Sequence, residues 1–66
     1  MQISYKKLWK LLIDKDMLKK DLAVRADISS ASIAKLTKGE NVNTEILVKI
    51  CTALDCDISD IMEMIK

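Results

Sequence analysis

Sixty-six residues, half of them apolar and 32% charged, with one glycine, no proline and no histidine, bound this chain to one small domain. Without histidine for proton transfer or a glycine-rich loop for phosphate, no enzyme is expected, and no catalytic residue, cofactor or metal is assigned. At this length a core buries only about 60% of the unfolded surface, so marginal stability or dimerisation is expected.

The composition predicts an all-α fold with short connections rather than strands or disorder. Helix entries are read from apolar residues that flank a cap. Ile3 and Leu8 flank Ser4, which opens a first helix over about Tyr5 to Asp14 with Tyr5, Leu8, Trp9 and Leu12 on one face. Lys6, Lys7 and Lys10 fall largely off that face, and Trp9 is read as core rather than as a stacking platform. Leu18 and Ala23 flank Lys19, which cannot accept a capping bond, before a second helix over about Lys20 to Ala26. Leu22, Ala23 and Ala26 face its core side, and the alanines admit a close neighbour. Asp27 takes the tight turn, where a left-handed backbone is tolerated better by Asp than by most residues. Ser29, between Ile28 and Ile33, caps a third helix over Ser30 to Lys38 that buries Ile33 and Leu36 and stops at Gly39, the residue suited to positive φ. Asn43, between Val42 and Leu47, opens a fourth helix over about Thr44 to Leu54 with Leu47, Ile50, Cys51 and Leu54 inward. Asp57, between Cys56 and Ile61, opens a fifth over about Ile58 to Ile65, with Asp60 completing a capping-box variant and Ile58, Ile61, Met62 and Ile65 at helical spacing.

The apolar stretch Leu8 to Ile13 is broken by Lys10 and has no small-residue cleavage site, so neither a signal peptide nor a membrane span is read, and a cytoplasmic location is expected. The two cysteines, Cys51 and Cys56, face about 140° apart if one helix carries both, and they are read as small buried hydrophobes rather than as a disulfide or metal pair. Charge is uneven along the chain. Residues 1–39 hold nine bases against four acids, net +5, whereas residues 40–66 hold two against six, net −4. Such asymmetry fits one face that attracts a polyanion, and solvated lysines explain any single one.

Two short helices with a tight turn, the second exposing Ser29, Ser30, Ala31 and Ser32 at its start, suit a reader of duplex DNA. Such a helix enters the major groove end-first, and small side chains let its free N–H groups approach a phosphate. Leu18-Lys19-Lys20-Asp21-Leu22-Ala23-Val24-Arg25-Ala26-Asp27-Ile28-Ser29, then Ser30-Ala31-Ser32-Ile33-Ala34-Lys35-Leu36-Thr37-Lys38-Gly39, resembles the Cro/C1-type (XRE-like) helix-turn-helix family of bacterial and phage regulators. The stretch Leu47 to Ile61 looks like that family's fourth and fifth helices. The resemblance covers nearly the whole chain. It implies a single lambda-repressor-like domain over residues 1–66, a compact five-helix bundle with the helix-turn-helix at about 20–38.

Carried over by position, the resemblance implies that Ser30, Ala31 and Lys35 face bases. It implies that Lys19, Lys20, Ser29, Ser32, Lys38, Asn41 and Asn43 meet phosphates. The chain departs from the family pattern at Lys19, where a Thr or Ser cap is usual, at Lys20, where a Gln is common, and at Asp27, where glycine is usual. Ser30 and Ala31 replace the customary Gln or Arg, leaving Lys35 as the one long donor for guanine O6 and N7. Direct readout is thin, so affinity is expected to come largely from phosphates, with specificity that either depends on DNA shape or is low.

The expected function is a small, sequence-preferring transcriptional regulator that binds double-stranded DNA. The alternative is a helix-turn-helix scaffold serving as a protein-interaction module, antitoxin-like or accessory. No small-molecule ligand or effector domain is expected in a chain that ends at Lys66. A homodimer through the fifth helix (Met62, Met64, Ile65) is the candidate assembly, unless those residues only close the monomer core.

Overall fold

A computed structural model describes residues 1–66. Four α-helices form: α1 (Lys6–Asp14), α2 (Lys19–Ala26), α3 (Ser30–Lys38) and α4 (Thr44–Leu54). A short N-terminal strand, β1 (Gln2–Ser4), precedes them, and a 3₁₀ turn (Ile58–Asp60) and a second strand, β2 (Glu63–Ile65), follow. No helix is long and apolar enough to cross a membrane.

The four helices and the segment just after the 3₁₀ turn build one core. Leu8 of α1, Leu22 of α2, Leu36 of α3, Ile50 of α4 and Ile61 just after the 3₁₀ turn are the largest fully buried side chains. Tyr5, Leu12, Ala26, Leu47 and Leu54 complete the cluster. Trp9 is half-buried against its edge. Among the helices, α2 packs against both α3 and α4, with Ala26 buried on its inner side as the small-residue pattern requires.

The expected fifth helix is absent, and the all-helical five-helix bundle is corrected to four helices plus a small sheet. Asp57 and Asp60 do form the capping box. Asp57 N donates to Asp60 Oδ2 at 2.9 Å and Ile58 N to Asp57 Oδ1 at 2.7 Å. This box closes only one turn. Ile61 then enters the core, and the chain extends so that β2 pairs antiparallel with β1, Gln2 opposite Ile65, Ile3 opposite Met64 and Ser4 opposite Glu63. The physical reason is the backbone of residues 2–4, whose polar groups gain partners from β2, whereas an eight-residue helix has little stability of its own. Ile58 is consequently 43% and Met64 65% exposed, so neither is a core residue.

Every helix leaves through the same geometry. Asp16, Asp27 and Asp55 at φ 55°, 55° and 52°, and Gly39 at φ 75°, adopt the left-handed conformation. The following amide reaches back over each helix end: Met17 N to Leu12 O at 2.9 Å, Ile28 N to Ala23 O at 3.0 Å, Glu40 N to Lys35 O at 2.9 Å, and Cys56 N to Cys51 O at 3.0 Å. These are Schellman closures, which bring the side chains of the two bonded residues together. Cys56 therefore returns over Cys51 instead of facing away, because α4 stops at Leu54 and no single helix carries both. Both thiols are free and half-buried. Burial pushes both up, Cys56 to about 11, with Cys51 and the Asp60 carboxylate adding to the rise at Cys56.

Two outcomes are expected. A Cβ at Gly39 meets nothing within 4 Å, so Gly39→Ala carries only the cost of a left-handed non-glycine residue, a loss of about 1 kcal/mol in urea unfolding. The folded chain also keeps the Cys56 proton up to about 11, against 9.0 for an unperturbed thiol. Stability is therefore full below about 9 and falls as pH rises from there to about 11; this fall should be shallower in Cys56→Ala when thermal unfolding is followed across pH.

Candidate nucleic-acid interface

The turn between α2 and α3 is only three residues long, and each has a distinct job. Asp27 reverses the chain in the left-handed region, and its carbonyl accepts a bond from Lys49 Nζ of α4 at 3.4 Å. Ile28 packs half-buried against the core. Ser29, at φ −76° and ψ 159°, caps α3, with its Oγ accepting from Ser32 N at 3.2 Å and lying 3.2 Å from Ser32 Oγ. Hydroxyls of Ser29 and Ser32 thus organise the helix entry. The amides of Ser30 and Ala31 have no partner within the protein, which leaves two N–H groups directed out of a positive helix end.

Leu36 is buried and Ile33 half-buried, and together they fix which side of α3 faces inward. At about 100° per residue, Ala31, Lys35 and Lys38 lie on the opposite side, with Ala34 beside them toward Ser30 at the flank. All five are exposed. Ala34 belongs to this outer face and escaped the sequence reading, although its position three residues after Ala31 is the signal that places it there. Lys49, which holds the turn carbonyl, also went unforeseen because its contact is made across the fold.

Charge on this side is uncommitted. The one ion pair in the molecule joins Lys49 to Glu45 at 4.0 Å, so Lys20, Lys35 and Lys38 carry no carboxylate partner. Lys20 sits in the first turn of α2 and Lys38 in the last turn of α3, both exposed. Asn41 is exposed in the loop after Gly39. Asn43 caps α4 through its Oδ1, which accepts from Ile46 N at 3.1 Å, so its amide NH₂ remains free to donate. Lys19 differs from the others, because its Nζ donates to Thr37 Oγ1 at 3.1 Å and stands 4.4 Å from the centre of the Trp9 ring. Helix α2 itself begins at Lys19, with Leu18 in the cap position and Leu18 N donating to Asp21 Oδ2 at 3.0 Å. The structure therefore groups Ser29, Ser30, Ala31, Ser32, Lys35 and Lys38 on one helix, with Lys20 on the helix before it and Asn41 and Asn43 on the loop after it.

The sequence profile described as Cro/C1-type HTH DNA-binding domain matches residues 7–66. In three dimensions the chain is similar to the crystal structure of the transcriptional regulator VanUg, form II, with a TM-score of 0.90 and 50% identity over 94% of this chain and 83% of that one. No curated protein matches significantly in sequence.

The cap is the part of this surface most open to a direct check. Ser29→Ala removes the acceptor for Ser32 N and is expected to lower stability by about 1 kcal/mol in denaturant unfolding, whereas Ser29→Asp should retain the cap.

Proposed function

The chain belongs to the Cro/C1-type helix-turn-helix DNA-binding domain family, and from that premise we propose a small regulator that binds double-stranded DNA with sequence preference, placing α3 in the major groove. The observation that carries this reading is the outer face of α3, where small side chains surround unpaired lysines beside the two free amides of the helix start. Its similarity to a transcriptional regulator supports the same class of function.

In this reading Ser30, Ala31 and Lys35 meet base edges. Lys35 donates to guanine O6 and N7, Ala31 contacts a thymine methyl, and Ser30 adapts to either donor or acceptor. Lys20, Ser29, Ser32, Lys38, Asn41 and Asn43 form the phosphate-facing set, in which lysine charge supplies affinity and the serine and asparagine groups set register, whereas Lys19, expected in the same set, has its ammonium engaged by Thr37 and Trp9. Regulation follows from occupancy of the site, in the cytoplasm, by residues 1–66 acting as one domain. Two copies would sit on half-sites about 34 Å apart, joined near Met62, Met64 and Ile65, which now lie at and beside β2.

Selection of bound duplexes from a random pool, followed by titration across salt, tests this. Lys35→Ala is expected to weaken the selected site about tenfold and relax one base position. Lys20→Ala should weaken all sequences evenly and reduce the salt slope by about one. Absent or salt-insensitive binding would overturn the reading in favour of a protein-interaction module.

A further inference from the structure

Lys19 combines two contacts that none of the other lysines makes. Its ammonium stands 4.4 Å from the centroid of Trp9 on α1 and donates to Thr37 Oγ1 on α3 at 3.1 Å, while its own backbone opens α2. Thr37 is oriented to receive it, because its hydroxyl proton is directed to Ile33 O at 2.9 Å and its lone pairs face outward. One residue thereby links the first three helices, its backbone in α2 and its side chain on α1 and α3. The position matters, because Thr37 lies one turn beyond Ile33 on the helix whose outer face carries Lys35 and Lys38.

We infer that Lys19 is a positioning residue, a latch that fastens α3 to α1 and α2 through Trp9 and Thr37, rather than a phosphate ligand. Three observations support this. Trp9 is half-buried, so its ring is held by the core and offers a fixed face to the cation. A cation over an indole is attracted by the ring quadrupole, and Trp is the best of the aromatic partners for it. No carboxylate competes for the ammonium, since the molecule's one ion pair lies elsewhere. The adjacent Lys20 makes no side-chain bond within the protein and stays available to a polyanion, so the two neighbouring lysines divide the work: one sets the angle of α3 and the other supplies charge.

The DNA part of this inference rests on the proposed reading of α3, but the latch itself does not. Its test is a double-mutant cycle of Lys19→Met, which keeps the stem and removes the charge, with Thr37→Val, which removes the acceptor. Each single variant should lower Tm by about 3 °C, the double variant by less than the sum, and Trp9 emission should change in Lys19→Met. On DNA, Lys19→Met should weaken the selected site about two- to fivefold, leave scrambled DNA unaffected and keep the salt slope of the parent, with Lys20→Met as the contrasting variant that loses about one from the slope. Additive Tm changes with unaltered Trp9 emission would overturn the latch. A slope lowered by about one in Lys19→Met, with scrambled DNA weakened equally, would overturn it in favour of a phosphate contact. If the parent chain binds no DNA at low salt, the functional reading fails, and the cycle and the emission still decide the latch.

Discussion

Five aliphatic side chains meeting in one place hold this molecule together: Leu8, Leu22, Leu36, Ile50 and Ile61, each from a different segment and each shut off from water. The helices that present them run from eight to eleven residues. Isolated helices below about 12–15 residues are marginal in water, so these exist because their inner faces are buried against one another. The candidate interface inherits that dependence. The outer face of α3 points outward only because Leu36 and Ile33 are anchored inward.

The chain connects short helices by stopping each one the same way. Three aspartates and one glycine take the left-handed conformation, and the next amide closes back over the helix end. Asp tolerates that backbone at a cost of about 1 kcal/mol or more, which the closures and the short turns offset. One result is the three-residue turn before α3. Another is the approach of Cys56 to Cys51, in which two thiols occupy positions that usually hold an apolar pair. With their acidities weakened by burial, these cysteines behave at neutral pH as the small hydrophobes their placement requires.

The lysines differ in what their ammonium groups meet. Lys7 donates to Ser59 O at 3.0 Å, Lys19 to Thr37 and Lys49 to the Asp27 carbonyl, so these three tie distant segments together. Lys20, Lys35 and Lys38 have no such bond and lie on or beside the helix-turn-helix. Lys6, Lys10 and Lys15 are equally unbonded on and after α1, so a net charge of +1 coexists with free cations of which three lie where a polyanion is proposed to bind.

Local chemistry alone determined much of this. The Ser29 and Asn43 caps, the left-handed Asp27 and Gly39, the bounds of α3 and α4, and the inward Leu, Ile and Ala positions of α2 to α4 follow from interactions within a few residues, which is why they were legible along the chain. Ser4, expected to cap the first helix, instead ends β1, and α1 opens after Tyr5, whose cap position makes no side-chain bond. The outer face of α3 follows from the same helical spacing, opposite Ile33 and Leu36, although it is the family resemblance that points to Ser30, Ala31 and Lys35 there, and Ala34 was missed. Tertiary structure decided what depended on partners far away in sequence. Asp57 and Asp60 signal a helix start whatever follows, but the unpaired backbone of residues 2–4 drew Glu63 to Ile65 into a strand. Lys19 reads as one more surface charge until α1 and α3 bring Trp9 and Thr37 to its ammonium. Local sequence specifies caps and faces because those bonds close within one turn, whereas the partner of an extended segment or a long flexible side chain is set only when the core has brought the helices together.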